Sequence, residues 1–285
     1  MVLNENIATS PSLWQQLLEP VGQLLRQAGR LILDSSQTRL QVEKKSADNY
    51  VTDIDLAVQK YMLARLAEWT PAWPVIAEES ATGRQELTGQ TWILDPVDGT
   101  TNLMRAYHHS AISLALADEN RLLLGFVYNP YTDELFTAVA GGGAHLNGLP
   151  IQTSRHSKLR DCLVGFGTTP YDRANAHLTF SLAENIFMQT LEIRRSGSAA
   201  LDLAYVACGR LDAFFELCLQ PWDYAAGSLI LQEAGGQVTN WQGNAPSLQQ
   251  GDSILATNKL VHQALLDLVG NTAGAAVVRV QPQEL

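Results

Sequence analysis

The sequence predicts a mixed α/β protein, with an antiparallel first half and a second half in which strands and helices alternate. In the first half, three segments of alternating polarity occupy residues 111–117, 122–128 and 134–140, and turn-rich segments separate them. This pattern is typical of an antiparallel meander. In the second half, strand-like and helical segments follow one another, which is typical of an α/β layer. We therefore expect two parts, an N-terminal α+β part (residues 1–155) and a C-terminal α/β part (residues 156–285).

Two helices are expected before the first strands. Apolar residues recur at three- and four-residue steps over residues 14–32, which predicts an amphipathic helix. The polar segment 43–50 is expected to be a loop. A second helix is expected over residues 52–69, because Thr52 and Asp55 have the spacing of a capping box.

Two short apolar runs end in acidic residues. Residues 75–77 predict a strand that ends at Glu78, and residues 92–94 predict a buried strand that ends at Asp95. We expect Pro96 to stop the second strand, because proline cannot donate a hydrogen bond to a neighbouring strand. The sequence thus predicts carboxylates fixed at two strand ends.

The second half contains alternating predicted elements. Strands are expected at residues 162–166, 191–194, 211–217 and 254–257, and helices at residues 173–189, 199–208, 223–234 and 260–269. The segment beyond residue 270 is small and polar and has no periodicity, and we expect it to be a mobile tail.

The charge balance limits the possible partners. The chain carries 29 acidic and 19 basic residues, a net charge of -10. Because such a protein repels phosphate backbones and anionic lipids, we expect neither nucleic acid nor membrane as its main partner. The three cysteines lack any Cys-x-x-Cys spacing, and neither a signal peptide nor an apolar run long enough to span a membrane is evident. We therefore expect reduced thiols and a cytoplasmic protein.

Five acidic residues stand where predicted elements start or stop: Asp55, Glu78, Asp95, Asp98 and Asp223. For each one alone, the simpler explanation is a turn or a helix cap. Such ends converge on one crevice in α/β proteins. Two like charges about 4 Å apart repel by roughly 4 kcal/mol, so a cluster implies protonated acids or a bound cation. Oxygen ligands favour Mg²⁺, with Mn²⁺ as a possible substitute.

These acids have the composition of a two-cation site. In our hypothesis Asp95 bridges the two ions, Glu78 and the Val97 carbonyl serve one, and Asp98 and Asp223 serve the other. Two ions about 3.5–4 Å apart are a common arrangement for displacement at phosphorus.

The predicted turn after this strand supplies groups for the reaction. Backbone N–H groups at Gly99, Thr100 and Thr101 are expected to take phosphate oxygens. The Thr100 hydroxyl, oriented by Asp55, is expected to accept a proton from the attacking water. With Glu78, these two residues make up the expected catalytic set.

Three linked motifs resemble the inositol monophosphatase family, within the magnesium-dependent, lithium-sensitive phosphatase superfamily. They are AEES at residues 77–80, DPVDGTTN at residues 95–102 and WDYAAG at residues 222–227, with lesser matches at VTDID (51–55) and SGSAA (196–200). The resemblance implies a layered α/β/α/β/α sandwich, often a homodimer, that binds two or three Mg²⁺ ions.

The resemblance also implies a role for each matching residue. Metal binding is implied for Glu78, Asp95, Val97 (through its carbonyl), Asp98 and Asp223, and water activation for Asp55 and Thr100. Phosphate or substrate contacts are implied for Gly99, Thr101, Gly197, Ser198, Ala199, Glu216 and Lys44.

We expect hydrolysis of inositol monophosphate or a related sugar or polyol phosphate, since a carboxylate such as Glu216 can accept hydrogen bonds from vicinal hydroxyls. The alternative substrates are 3′-phosphoadenosine 5′-phosphate, fructose 1,6-bisphosphate and histidinol phosphate. A bisphosphate requires extra cations, for which Arg173, Arg194 and Arg195 are candidates. A third hypothesis is a regulatory protein that retains the fold and acts on transcription or RNA machinery.

Overall fold

The computed structural model describes residues 11–35, 41–46, 49–81, 86–170 and 173–279. Within them the chain forms a two-stranded hairpin, a seven-stranded sheet and a five-stranded sheet. Residues 1–10, which bear on the expectation of no signal peptide, lie outside the described residues.

The bounds of the elements are as follows. The helices are α1 (Pro11–Ser35), α2 (Asp53–Trp69), α3 (Thr100–Met104), α4 (Ala176–Phe187), α5 (Ala199–Ala207), α6 (Pro221–Glu233) and α7 (His262–Arg279). The hairpin pairs β1 (Val42–Ser46) with β2 (Asn49–Thr52). The seven-stranded sheet contains, in spatial order, β3 (Val75–Ala77), β4 (Gln90–Asp98), β5 (Ala111–Asp118), β6 (Arg121–Asn129), β7 (Glu134–Val139), β8 (Gly143–Leu146) and β9 (Leu149–Pro150). The five-stranded sheet contains β10 (Leu163–Phe166), β11 (Glu192–Arg194), β12 (Ala213–Leu219), β13 (Gln237–Thr239) and β14 (Asp252–Thr257), in the order β11-β10-β12-β14-β13.

The two sheets and the helices stack in five layers. Helices α1 and α2 cover one face of the seven-stranded sheet, where Trp92 and Phe126 are buried. Its other face packs on α5 and α6, which in turn pack on the five-stranded sheet through Phe214. On the far side of that sheet, Phe215 packs with α4 and α7. Neighbouring residues of β12 thus enter different cores, as the period of two along a strand requires.

This arrangement confirms the predicted α/β/α/β/α sandwich. The meander is confirmed as well, since β5, β6 and β7 pair antiparallel in sequence order. The division into two parts between residues 155 and 156 stays a prediction. Within the described part of the chain, the helices are too short or too polar to span a membrane.

The expectation of a loop over residues 43–50 is wrong, because the described part of this segment is a hairpin. Val42 pairs with Thr52, and Lys44 pairs with Tyr50. Cross-strand contacts, which the polar sequence does not reveal, support it: the Lys44 ammonium lies 6.0 Å from the centroid of the Tyr50 ring.

The expectation that Pro96 stops its strand is also wrong. Strand β4 continues to Asp98 through a β-bulge between Asp95 and Asp98. Pro96 and Val97 together stand opposite the single residue Ile112 of β5. A bulge leaves a residue unpaired, so it tolerates a proline that lacks an N–H group.

The last helix is longer than expected. Residues beyond 270 continue α7 as far as Arg279, so the predicted end of the last helix at residue 269 is wrong. Thr272 is buried, its hydroxyl donates to the Leu268 carbonyl, and it accepts a hydrogen bond from Asn185 of α4 at 3.0 Å. Packing against α4 stabilises a segment that its own periodicity does not mark as helical. Residues 280–285 lie outside the described residues.

Candidate active site

A cleft of about 790 Å³ opens where β4 and β12 meet the first turns of α3, α5 and α6. Twelve of the fourteen expected catalytic, metal-binding and substrate-binding residues line it: Glu78, Asp95, Val97, Asp98, Gly99, Thr100, Thr101, Gly197, Ser198, Ala199, Glu216 and Asp223. Asp55 lies directly beneath it, bonded to Thr100. Lys44 is not among the lining residues, although Tyr50, against which it packs, does line the cleft.

The bulge in β4 brings two carboxylates to the cleft. Asp95 accepts a hydrogen bond from the Val97 N–H at 2.9 Å, which fixes its Oδ1 within the bulge. Asp98 accepts from the Ser198 hydroxyl at 2.6 Å and from the Ala200 N–H at 2.7 Å through its Oδ2. Ser198 is the N-cap of α5, so Asp98 joins the strand to the positive end of this helix.

The third carboxylate comes from the first turn of α6. Asp223 accepts a hydrogen bond from the Gln220 N–H at 2.7 Å, as part of a capping box. The Trp222 carbonyl accepts from the Ser113 hydroxyl of β5 at 3.0 Å, which fastens this helix start to the seven-stranded sheet. Helix capping and site geometry therefore depend on the same residues.

Burial and like charge act together on these acids. Burial raises the pKa of Asp95 well above its usual range, and the charges of Glu78, Asp98 and Asp223 raise it further. Burial raises the pKa of Asp98 to about 6, against the lowering effect of its hydrogen bonds. Among the described residues that line the cleft, Arg195 is the one lysine or arginine. The cluster is therefore short of positive charge.

This donor set suits a hard divalent cation, since all of its groups are oxygens. Within the described part of the chain, however, no three carboxylate, imidazole or thiolate groups stand at distances suited to one ion.

The expected catalytic pair is in contact. The Thr100 hydroxyl donates to Asp55 Oδ1 at 2.8 Å. The other Asp55 oxygen accepts from the Thr52 N–H at 2.9 Å and from the Thr52 hydroxyl. Burial raises the Asp55 pKa, whereas the bonds from Thr52 and Thr100 lower it. Asp55 thus belongs to the predicted capping box and also reaches the cleft through Thr100.

Gly99 has a conformation that explains its place between Asp98 and Thr100. Its φ is 97°, in the left-handed region, and it is the N-cap of α3. A Cβ at this position would lie 3.1 Å from the carbonyl oxygens of Gly197 and His109. Only glycine therefore lets β4 turn into α3 so close to the start of α5.

Glu216 and Arg195 also line the cleft. Glu216 accepts from the Thr169 N–H at 2.9 Å, and burial raises its pKa to about 7. Arg195 lines the cleft and donates to the Thr168 hydroxyl at 3.0 Å. Neither of the other two candidate cations, Arg173 and Arg194, is among the residues that line the cleft.

Sequence reasoning missed Asp202, which lines the cleft from α5. It is buried, which raises its pKa well above the usual range, and it accepts from the Ser196 hydroxyl at 2.6 Å. One signal was available: Asp202 stands four residues after Ser198, on the same face of a helix that otherwise consists of small and apolar residues.

The fold and the site place the chain in the class of layered α/β proteins of the sugar-phosphatase type. A model of the inositol monophosphatase family matches residues 13–272. The chain belongs to this family, as its motifs predict.

Relatives within the family carry two kinds of name. The inositol-1-monophosphatase of Mesorhizobium japonicum is 37% identical over 255 residues, which cover 89% of this chain and 96% of that protein. The Nus factor SuhB of Escherichia coli K12 is 38% identical over 245 residues, which cover 85% of this chain and 91% of that protein.

Solved structures agree with the fold. An IMPase of Thermotoga maritima is 31% identical, with a TM-score of 0.83 over 91% of this chain and 99% of its own. An IMPase/NADP phosphatase complexed with Mg²⁺ and phosphate is 27% identical, with a TM-score of 0.80 over 90% of this chain and 95% of its own.

Proposed function

We propose that this chain is a magnesium-dependent hydrolase of phosphate monoesters, acting on inositol monophosphate or a related sugar or polyol phosphate. The observation that carries the proposal is one cleft that is lined both by an acidic cluster around Asp95 and by Glu216. The cluster suits cations that hold a phosphate, and Glu216 suits the hydroxyls of a polyol.

Two or three Mg²⁺ ions, or Mn²⁺ in their place, would be held by Glu78, Asp95, Asp98, Asp223 and the Val97 carbonyl. The buried acids with raised pKa values and the near absence of basic side chains in the cleft support this assignment. When bound, the ions neutralise phosphate charge and make water a stronger nucleophile.

The chain's own residues prepare the proton transfer. Because the Thr100 hydroxyl donates to Asp55 Oδ1, its oxygen lone pairs are available to a water in the cleft. A proton taken up at Thr100 Oγ1 is balanced by movement of the hydroxyl proton towards Asp55. Burial of Asp55 favours this uptake, since its pKa is already raised.

The remaining contacts concern the substrate. In the proposal, the backbone at Gly99 and Thr101 contacts the phosphate, and Gly197, Ser198 and Ala199 line the space for the polyol. Glu216 accepts hydrogen bonds from its hydroxyls. Lys44 is assigned to the same site by resemblance, and its strand β1 packs beside Tyr50 at the cleft. We also propose that the protein works as a homodimer in the cytoplasm.

Two alternatives have a specific observation in their favour. Arg195 lines the cleft, and an arginine can bind the second phosphate of a substrate. This favours 3′-phosphoadenosine 5′-phosphate or a related substrate. Relatives named Nus factor SuhB favour a regulatory role in transcription, with protein partners.

The experiment that tests the proposal is phosphate release from a substrate panel in Mg²⁺, with Li⁺ added in a parallel series. Inositol 1-phosphate should be hydrolysed faster than 3′-phosphoadenosine 5′-phosphate, fructose 1,6-bisphosphate or histidinol phosphate. Faster turnover of 3′-phosphoadenosine 5′-phosphate would replace the proposed substrate by the first alternative. A chain inactive on the whole panel would favour the regulatory role.

A further inference from the structure

The loop after β10 packs against Glu216. The Gly167 N–H donates to the Phe215 carbonyl at 3.0 Å, so the loop extends β10 alongside β12. Two residues later, the Thr169 N–H donates to Glu216 Oε1 at 2.9 Å, and its hydroxyl lies 3.2 Å from the same oxygen. That hydroxyl also lies 3.2 Å from the Cys218 carbonyl oxygen. Thr169 thus contacts β12 both at the Glu216 carboxylate and at the Cys218 carbonyl.

Gly167 is required by the space that Glu216 occupies. A Cβ at Gly167 would overlap both oxygens and the carboxyl carbon of Glu216. The φ of Gly167 lies outside the left-handed region, so its backbone conformation does not by itself require glycine. An alanine at this position would therefore displace the Glu216 carboxylate.

Thr169 is held in a conformation that its own side chain disfavours. Its φ is 42°, in the left-handed region, where β-branched residues are rare. Such strain persists where surrounding contacts fix the backbone, and it clusters at functional sites. Here the strained residue directs its N–H at a buried carboxylate that lines the cleft.

We propose that Gly167 and Thr169 are positioning residues that set the preference of the cleft for polyol phosphates by holding Glu216 in one orientation. The inference rests on the proposed phosphatase function and deepens it. A site that hydrogen-bonds substrate hydroxyls discriminates only while its acceptor is fixed, because a displaced acceptor leaves these hydroxyls unpaired. A substrate without hydroxyls should not depend on the loop.

The test compares two substrates in Mg²⁺: inositol 1-phosphate, and 4-nitrophenyl phosphate, which has no hydroxyl for Glu216. Gly167→Ala should lower kcat/KM for inositol 1-phosphate by about tenfold or more, mainly through KM, and leave 4-nitrophenyl phosphate within about threefold. Thr169→Val should give a smaller loss in the same direction, and Thr169→Ser, which keeps the hydroxyl, should restore the preference.

Two matched controls are available. Gly270→Ala adds the same methyl group where nothing lies within 4 Å, and Thr168→Val makes the same change at the neighbouring threonine, which bonds Arg195 and not Glu216. Both variants should keep the wild-type ratio of kcat/KM for inositol 1-phosphate to kcat/KM for 4-nitrophenyl phosphate. Thermal unfolding of each variant distinguishes a loss of fold from a loss of substrate preference. If Gly167→Ala does not fold, the comparison of Thr169→Val with Thr169→Ser still tests the proposal.

Three outcomes count against the proposal in different ways. Equal losses on both substrates, or no loss on either, would overturn the positioning role alone. A wild-type protein that hydrolyses neither substrate in Mg²⁺ would overturn the proposed function and, with it, this inference.

Discussion

The acidic cluster should make the metal-free protein less stable as the pH rises, and Asp98 provides the sharpest case. Its pKa rises from 3.8 to about 6 on folding, because burial outweighs its hydrogen bonds to Ser198 and Ala200. A group with a raised pKa in the folded state contributes full stability below its unfolded pKa and loses it as the pH rises through the folded pKa. Stability therefore falls as the pH rises, whereas an ordinary salt-bridged carboxylate makes stability rise with pH.

The magnitude follows from this pKa. The rise from 3.8 to about 6 corresponds to about 3 kcal/mol in total, because one pKa unit is worth about 1.4 kcal/mol. By pH 5 about half of this stability has been lost, because Asp98 is already ionised in the unfolded protein but still mostly protonated in the folded one. About 1.4 kcal/mol remains to be lost between pH 5 and pH 8. Glu216, with its pKa raised to about 7, adds a loss of the same sign.

The assay is urea unfolding at pH 5 and pH 8 in a chelator, with Asp98→Asn as the perturbation. The amide oxygen still accepts from Ser198 and Ala200 but carries no titrating proton, so the pH-dependent loss should shrink by about 1.4 kcal/mol. The control is Asp267→Asn, at an exposed position, which should leave the loss of stability between pH 5 and pH 8 unchanged.

Added Mg²⁺ should stabilise wild type more at pH 8 than at pH 5, because cations bind the ionised carboxylates. A metal-free protein that is equally or more stable at pH 8, with the same pH dependence in Asp98→Asn, would refute the reasoning.

Three further predictions concern hydrogen bonds at the site. Thr100→Val should lower kcat by about 10²–10⁴-fold in Mg²⁺, because the hydroxyl bonded to Asp55 is the expected proton acceptor; steady-state kinetics that match wild type would exclude that role. Ser198→Ala should lower the free energy of unfolding by about 1–2 kcal/mol in urea, through loss of the α5 cap and of the bond to Asp98. Thr52→Ala should lower the free energy of unfolding by about 1 kcal/mol in the same assay, since it removes one side of a capping box. For Ser198→Ala or Thr52→Ala, an unchanged midpoint of urea unfolding would contradict the prediction.

Local signals explain what the sequence predicts correctly. The apolar period of α1, the capping box at Thr52 and the alternation along β5, β6 and β7 are all determined within a few residues of chain. The acidic residues at element ends are local in the same sense. Because α/β topology brings such ends to one crevice, their meeting in one cleft also follows.

Contacts between distant parts of the chain explain what the sequence does not reveal. Asp98 meets Ser198 across 100 residues and Thr169 meets Glu216 across 47, so neither bond has a local signal. The bulge at Pro96 depends on pairing with β5, and the hairpin β1–β2 depends on pairing between polar residues. Proline and polar composition indicate a preference of the backbone, which sheet pairing overrides in both places.

The loop around Thr169, beside Glu216, is a further place where tertiary contacts decide what the sequence does not reveal. Thr168 and Thr169 are adjacent residues of the same type in this loop, yet Thr169 bonds Glu216 and Thr168 bonds Arg195. The left-handed backbone at Thr169 determines which of the two faces Glu216, and tertiary contacts impose that conformation.

In the proposed function, the acids around Asp95 hold the magnesium ions that are needed for phosphate release. The most direct test is the rate of phosphate release from inositol 1-phosphate as a function of Mg²⁺ concentration, in wild type and in Asp95→Asn. We expect no release from wild type in a chelator, a rate that rises to saturation with Mg²⁺, and a loss of about 10³-fold or more in the variant at every concentration. Release in the chelator, or an unchanged Mg²⁺ dependence in Asp95→Asn, would contradict the claim.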